Sequence, residues 1–443
     1  MGPTQAIAKL VASTDAVPSR TVHEAKRTLI NLLGVALAAA HDQPAEVLVR
    51  WAEAEGCAPQ AAVIGRTLRT SLSNAALLNA YLAHLHDYDD THFPTVLHPS
   101  APVWPAVLAS AEALHLSGKA TLAAFVLGAE TACRLALSVH PWHYDQGWHI
   151  TGTAGVFGAA AGVGRALDLN AEELTNALGI AGTQASGVRE MFGTDAKALH
   201  PAKASSNGLQ AAFLAQAGFS GPDDIIGGRR GFWAVLSPDG HSETALLDDL
   251  GERWELDNNG LKPYANGVVA HPIQDAVISL RNAHHLRPAQ ITRIAARVHP
   301  LVLELMDRPL PRRGLEGKFS YQHCAAAALV DGAGHDAQFT DARVSDPTIA
   351  SVRSRVSATV DPSLGEDEAY VTIALDNGQT LAQHVTHATG SPANPMTDAA
   401  LEEKYRLLAS DVLPPGQAER LLEAVWRMDE ADDVVGVTML MAP

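Results

Sequence analysis

Between Gly152 and Ala166 the chain is almost wholly Gly and Ala, with a few larger apolar side chains among them. Glycine is costly in a helix, and so small a surface is worth keeping only where neighbours come very close. The run therefore reads as a buried helix in tight contact with other helices. Composition points the same way: 47% hydrophobic and 18% charged residues describe a soluble globular chain, while only 5% aromatics favour closely packed helices. A length of 443 residues fits two domains, or one large domain carrying an insertion.

Helical periodicity dominates the first 255 residues or so. Thr21 and Glu24 have capping-box spacing at the start of a helix whose apolar positions run through Leu29, Leu32, Leu33 and Leu37. Further helices are expected over 45–54, 73–85, 103–115, 121–139 and 204–217, and Asn170 with Glu173 caps another. Beyond that point the texture changes. Ile294, Ala296 and Val298 alternate as in a strand, 356–361 and 369–375 are strands, and Asp376-Asn377-Gly378 is a hairpin turn leading into 379–385. Helices over 272–284 and 321–330 lie between these strands, and two more close the chain at 397–409 and 415–428. The expected fold class is α+β and predominantly helical. A large all-α domain comes from 1–262 and 396–443, and a smaller α+β domain, 263–395, is inserted in it.

The formal net charge of −17 argues against nucleic acid and anionic membrane as partners. An anionic ligand would need a local concentration of His, Lys and Arg. The longest early apolar run, 29–40, is too short to span a bilayer, and no secretory pattern opens the chain. Cys57, Cys133 and Cys324 are far apart and form no CxxC pair, which fits a reducing compartment. The expected location is the cytoplasm.

Five clusters carry candidate chemistry. The densest, His84 to Pro99, packs four histidines and three aspartates into a turn after an apolar helix. No His-Glu-x-x-His pair or calcium-loop spacing accompanies them, so no metal is expected. Pro99 fixes the backbone beside His98 at the mouth of the next helix, while Asp89 and Asp90 read as supports and His84, His86 and His92 have no assigned role. The second cluster is His143-Tyr144-Asp145-Gln146-Gly147-Trp148-His149, running into Thr151-Gly152-Thr153; free N–H groups at that helix start would favour a carboxylate. The third holds Lys197, His200 and Lys203, the fourth Lys262, Tyr264 and His271, and the fifth Lys318 and His323. No Gly-rich phosphate loop follows a strand, and no nucleophile elbow is present, so no cofactor is expected. What remains is proton chemistry on a small molecule bearing carboxylates.

These motifs together resemble the methylcitrate dehydratase (MmgE/PrpD) family over nearly the whole length. The resemblance rests on His86-Asp-Tyr-Asp-Asp-Thr91 with His98-Pro-Ser100, on Gly147-Trp-His149, and on Phe192-Gly-Thr194 running into Lys197 and His200. It continues through Lys262-Pro-Tyr264, His271-Pro272, Gly317-Lys-Phe-Ser320 and Gly390-Ser-Pro-Ala-Asn-Pro395. The resemblance implies a helical domain made from both ends of the chain with an α+β lid, no metal or cofactor, and a homodimer. It implies catalytic roles for Asp87, His98, His149 and Lys197, with His271, Lys262, His200 and His323 binding substrate. The tract around Tyr144 is most similar to the iminodisuccinate epimerase and cis-aconitate decarboxylase-like branch, where Tyr144 and Lys197 would be acid/base partners. His323 stands where many members place a Tyr.

The expected activity is that of a cofactor-independent lyase of the dehydratase/decarboxylase type, acting on a small di- or tricarboxylic acid. The alternatives are an epimerase or isomerase of an imino- or amino-dicarboxylate, and a non-catalytic ligand-binding relative.

Overall fold

A computed structural model describes residues 1–443. The chain is predominantly helical α+β and divides into two compact units. The first comprises Met1–Leu85, Asp89–Asn259 and Thr397–Pro443; the second comprises His86–Tyr88 and Gly260–Met396. Lys262, expected on the helical side of the boundary, therefore lies in the second unit.

The first unit is built around the helix Ile150–Ala166, in which only Arg165 escapes burial. It packs against the helices Gly118–Leu137, Leu199–Gln216 and Ser100–Leu114. Its small residues permit that crowding. A Cβ on Gly208 would sit 2.5 Å from the Ala159 Cβ and 2.6 Å from the Val156 carbonyl oxygen, both on the central helix. Backbone cannot yield as a flexible side chain can, so Gly208→Ala should lower stability by about 1–3 kcal/mol through overpacking. Thermal unfolding followed by circular dichroism checks this, and a Tm equal to that of the parent would mean the helices have room to part.

Elsewhere the core is conventional. Trp104 stacks on Phe125 with ring centroids 3.9 Å apart and donates its indole N–H to Thr28 at 3.0 Å. The terminal helix Asp398–Ala409 lies along Ser19–Ala39, where Lys404 donates to Asn31 at 2.7 Å and Arg27 pairs with Asp398. Gly118–Leu137 is long and apolar enough to cross a membrane by composition, but it is a core helix here, mostly buried.

One expected cap is corrected. The helix carrying Thr21 begins earlier, at Ser19 after Pro18, so Thr21 is buried inside its first turns and Glu24 pairs instead with Arg27 at 3.1 Å. Pro18, which cannot continue a helix backwards, sets the start. Asn170 and Glu173 do form the expected reciprocal cap.

The second unit holds a four-stranded sheet in the order Val356–Val360, Ile291–Val298, Ala369–Leu375, Thr380–Val385. The first pair is parallel, with Ile294 opposite Val356, and the other two are antiparallel. Ile294, Ala296 and Val298 point to the buried face, as their alternation requires. Gly378, at φ +86°, closes the hairpin after Leu375. The helices His271–His284 and Tyr321–Asp331 pack together in this unit.

Candidate active site

The first unit gathers four histidines. His84 ends the apolar helix Leu72–Leu85, and its Nδ1 lies 2.7 Å from an Asp89 carboxylate oxygen. His98 donates from Nδ1 to the Asp90 carbonyl at 2.6 Å, and its backbone N–H donates to the Thr151 hydroxyl at 3.2 Å. His149 is the residue before the central helix, with its Nδ1 2.7 Å from the His200 Nδ1. Ring centroids of His84, His98 and His149 are 4.9, 5.8 and 6.4 Å apart, and one nitrogen from each lies within 4.8 Å of the other two. All three rings are buried.

The local backbone explains the convergence. The strip Gly187–Arg189 runs against Gly147–His149: the His149 N–H donates to the Gly187 carbonyl at 3.0 Å and the Arg189 N–H to the Gly147 carbonyl at 2.8 Å. Gly187 adopts φ +130° and lies flat on the His200 ring, where a Cβ would come within 3.1–3.3 Å of its atoms. Only glycine satisfies both demands. The same strip carries Arg189, whose guanidinium sits 3.9 Å above the Tyr144 ring.

Lys197 lies on the short turn Asp195–Ala198 that feeds the helix Leu199–Gln216, and is only 6% exposed. Its ammonium lies 5.3 Å from the centre of Phe192, whose ring meets His149 edge-on at 5.0 Å. Burial, then Lys197 and the neighbouring imidazoles, hold His149 well below its ordinary pKa. Burial with His84 and Lys197 takes His200 down to about 4. At neutral pH both rings are therefore uncharged beside a cationic lysine. Asp90 is pushed up to about 7 by burial and by Asp89, against hydrogen bonds from Ser100 and Asn259.

Pro201 does not delay its helix, which starts at Leu199; a proline in the first turn gives up an N–H that has no partner in the helix anyway. The expected anion cradle at Thr151-Gly152-Thr153 is not open as drawn. The Gly152 and Thr153 N–H groups donate to the His149 carbonyl at 2.9 and 3.3 Å. His143 is structural, bridging the Leu236 carbonyl and the Thr153 hydroxyl. His92 is likewise an anchor, between Thr95 at 2.7 Å and Glu255 at 3.3 Å.

The second unit holds the other expected residues. Asp87 adopts φ +52°, uncommon for a residue with a side chain, and receives the Lys262 ammonium on its carboxylate at 2.9 Å and on its carbonyl at 3.0 Å. Lys262 is 2% exposed, so within this unit it serves Asp87 directly. His271 opens the helix His271–His284 with its ring edge-on to Tyr264 at 5.2 Å. His323 is buried at the start of Tyr321–Asp331 and donates from Nε2 to the Gln338 carbonyl at 2.9 Å, while burial takes its pKa down to about 4. That geometry is a core contact.

Lys318 donates to the His86 carbonyl at 2.6 Å and pairs with Asp336. Burial alone would raise the Asp336 pKa, but Lys318 and His86 pull it down to about 2 from an ordinary 3.8. A depressed carboxylate stabilises the folded state above its ordinary pKa, and that contribution fades as pH falls toward the folded value. Asp336→Asn should therefore be less stable than the parent at neutral pH, with the difference shrinking between about pH 4 and pH 2. Urea titrations across that window measure it; a constant difference would mean that the ionised carboxylate is not what Lys318 holds.

Of the three histidines to which the sequence assigns no role, His84, His86 and His92, it is His84 that joins this cluster. Its signal was an imidazole in the last turn of an apolar helix with an aspartate five residues on, a spacing that closes only because the chain turns back at Asp87.

Comparison with known proteins extends this picture. Residues 5–245 match the MmgE/PrpD N-terminal domain and residues 264–430 the MmgE/PrpD C-terminal domain. Cis-aconitate decarboxylase of Homo sapiens is 27% identical over 439 residues, covering 95% of this chain and 90% of that protein. The cis-aconitate decarboxylase-like protein oryM of Aspergillus oryzae is 26% identical, covering 96% and 94%. Cis-aconitate decarboxylase of Aspergillus terreus is 24% identical, covering 95% and 92%.

Proposed function

The chain belongs to the MmgE/PrpD family, and from that membership we propose that it is a cofactor-independent lyase of a small di- or tricarboxylic acid, working by proton transfer next to a carboxylate. The observation that carries the proposal is the convergence of buried His98, His149 and Lys197 with half-buried His200. An imidazole removes the proton from the carbon beside a carboxylate, and the C–H electron pair moves onto that carboxylate as it becomes enolate-like. A buried ammonium beside it stabilises the new charge where little water screens it. In dehydration the pair then forms the C=C bond as the C–O bond breaks, and a second group protonates the departing hydroxide. In decarboxylation the electrons left by the departing CO₂ are quenched at carbon by a proton from the same set. His98 and His149 are the acid/base candidates, with Lys197 as the electrostatic partner.

A second reading, epimerisation of an imino- or amino-dicarboxylate by Tyr144 and Lys197, is favoured by one observation. Arg189 places positive charge against the Tyr144 ring, beside a phenol that would become negative on giving up its proton.

The purified chain incubated in D₂O with cis-aconitate, 2-methylcitrate, citrate and iminodisuccinate, followed by NMR and mass spectrometry, separates these. Release of CO₂ or a new alkene signal supports the lyase. Deuterium at carbon with an unchanged skeleton supports the epimerase. No change in any of the four acids would overturn both.

A further inference from the structure

We propose that His84, paired with Asp89, is the proton donor of this site. It holds the imidazolium proton that His98 and His149 do not, and releases it from Nε2 to the departing hydroxide or to the carbon that CO₂ leaves. The inference rests on the lyase reading and names the donor which that reading leaves open. His84 Nδ1 lies 2.7 Å from one Asp89 carboxylate oxygen, and both side chains are fully buried. The other oxygen of the same carboxylate is 3.9 Å from His98 Nδ1, so the negative charge sits closer to His84. A buried carboxylate at hydrogen-bond distance orients an imidazole and stabilises its protonated form.

The neighbouring rings are placed to stay neutral. One nitrogen each of His84, His98 and His149 lies within 4.8 Å of the other two. Lys197 and His200 act on the same group from the segments Asp195–Ala198 and Leu199–Gln216. Like charges this close repel strongly where little water screens them, so one imidazolium is the stable state. His149 and His200 meet Nδ1 to Nδ1 at 2.7 Å, a contact in which one nitrogen accepts and its ring is therefore neutral. Burial, with the charges of Lys197 and His84, holds both of these rings below their ordinary pKa. His98 donates from Nδ1 to the neutral Asp90 carbonyl at 2.6 Å, which leaves the lone pair of a base on Nε2.

An acid and a base kept side by side by opposite surroundings are what proton transfer at neutral pH requires. In dehydration His98 or His149 takes the C–H proton, and the C–H electron pair becomes the C=C bond. The C–O pair leaves with the oxygen, which takes the His84 Nε2 proton and departs as water. In decarboxylation the electron pair of the broken C–C bond takes that same proton. Either way His84 ends neutral, with its Nδ1 proton still directed at Asp89. After dehydration the proton on the base returns to His84 and restores the starting state; after decarboxylation water supplies it.

The test uses the full-length chain labelled with ¹⁵N-histidine, beside His84→Asn, whose amide still donates to Asp89, and Asp89→Asn, which removes only the charge. At neutral pH NMR should show both His84 nitrogens protonated and only one in His149, with His84 becoming neutral in Asp89→Asn. On whichever acid the parent turns over, His84→Asn should lose about 10²–10⁴-fold in kcat and Asp89→Asn about 10–10³-fold, each with KM within about threefold. A neutral His84 ring in the parent, or an unchanged kcat in either folded variant, would overturn the assignment and leave the lyase reading standing. Turnover of none of the acids would remove the lyase reading, while the labelled spectrum still decides where the proton sits. Should both variants fail to fold by circular dichroism, the parent ring decides, identified through its contacts with His98 and His149.

Discussion

Lys197→Ala should reduce turnover by about 10²–10⁴-fold while leaving the Tm within a few degrees of the parent. The side chain sits on a one-turn element at the entrance to the helix Leu199–Gln216, outside the tight contacts around Ile150–Ala166. Its ammonium is buried beside Phe192, and its charge helps lower the pKa of His149 and His200. Removing it leaves a modest cavity but also relieves a desolvated cation, two effects of opposite sign on stability. What is lost outright is the positive charge facing a carboxylate as it becomes enolate-like. The loss should appear in kcat more than in KM if Lys197 acts mainly on the transition state. Steady-state rates on whichever acid the chain turns over, set beside a melting curve, give the answer. Retained activity would remove Lys197 from the mechanism; a large drop in Tm would make it a structural residue.

The elements were legible because periodicity is local. The small-residue run at 152–166, the alternation at Ile294, Ala296 and Val298, and the Asp-Asn-Gly turn each state their structure within a few residues, and each forms as read. The site was legible only in part. His98, His149, His200 and Lys197 stood out because imidazoles and ammoniums are conspicuous in an acidic, Ala-rich chain, and His98, His149 and His200 meet in one place, with Lys197 acting on two of them. Which partner each residue takes was not legible. Lys262 meets Asp87 across 175 residues of sequence, and no local pattern encodes that pairing. The N–H groups of Gly152 and Thr153 looked open because nothing in sequence says that the His149 carbonyl would receive them. His84 went unassigned because its role depends on a left-handed Asp87 that turns the chain back, a conformation that residue type alone does not announce.

Arg134 illustrates the same limit, and it carries the largest expected effect on stability. On an exposed helix face, an arginine four residues after a glutamate is worth only a few tenths of a kcal/mol, on the order of 0.2–0.5. In the fold Arg134 is wholly buried. Its guanidinium pairs with Glu130 and donates to four carbonyls, at Leu246, Asp248, Asp249 and Arg253, at 2.7–3.2 Å. Glu130 in turn accepts the Glu255 N–H at 2.7 Å. The Glu255 carboxylate then holds His92, in the loop that supplies Asp89, Asp90 and His98. Arg134→Met would leave a buried carboxylate without its cation and strip four carbonyls of a donor, a change worth about 3–5 kcal/mol and a fall in Tm of roughly 5–10 °C. Glu130→Leu with Arg134→Met should cost much less than the two changes summed, because each single change strands the other partner. Turnover of the single variant should also fall below its unfolding temperature, as the His92 anchor loosens. Differential scanning calorimetry of the two single variants and the double variant measures this coupling. Strict additivity would show that Arg134 holds the 246–253 segment through its carbonyls alone, with Glu130 a bystander.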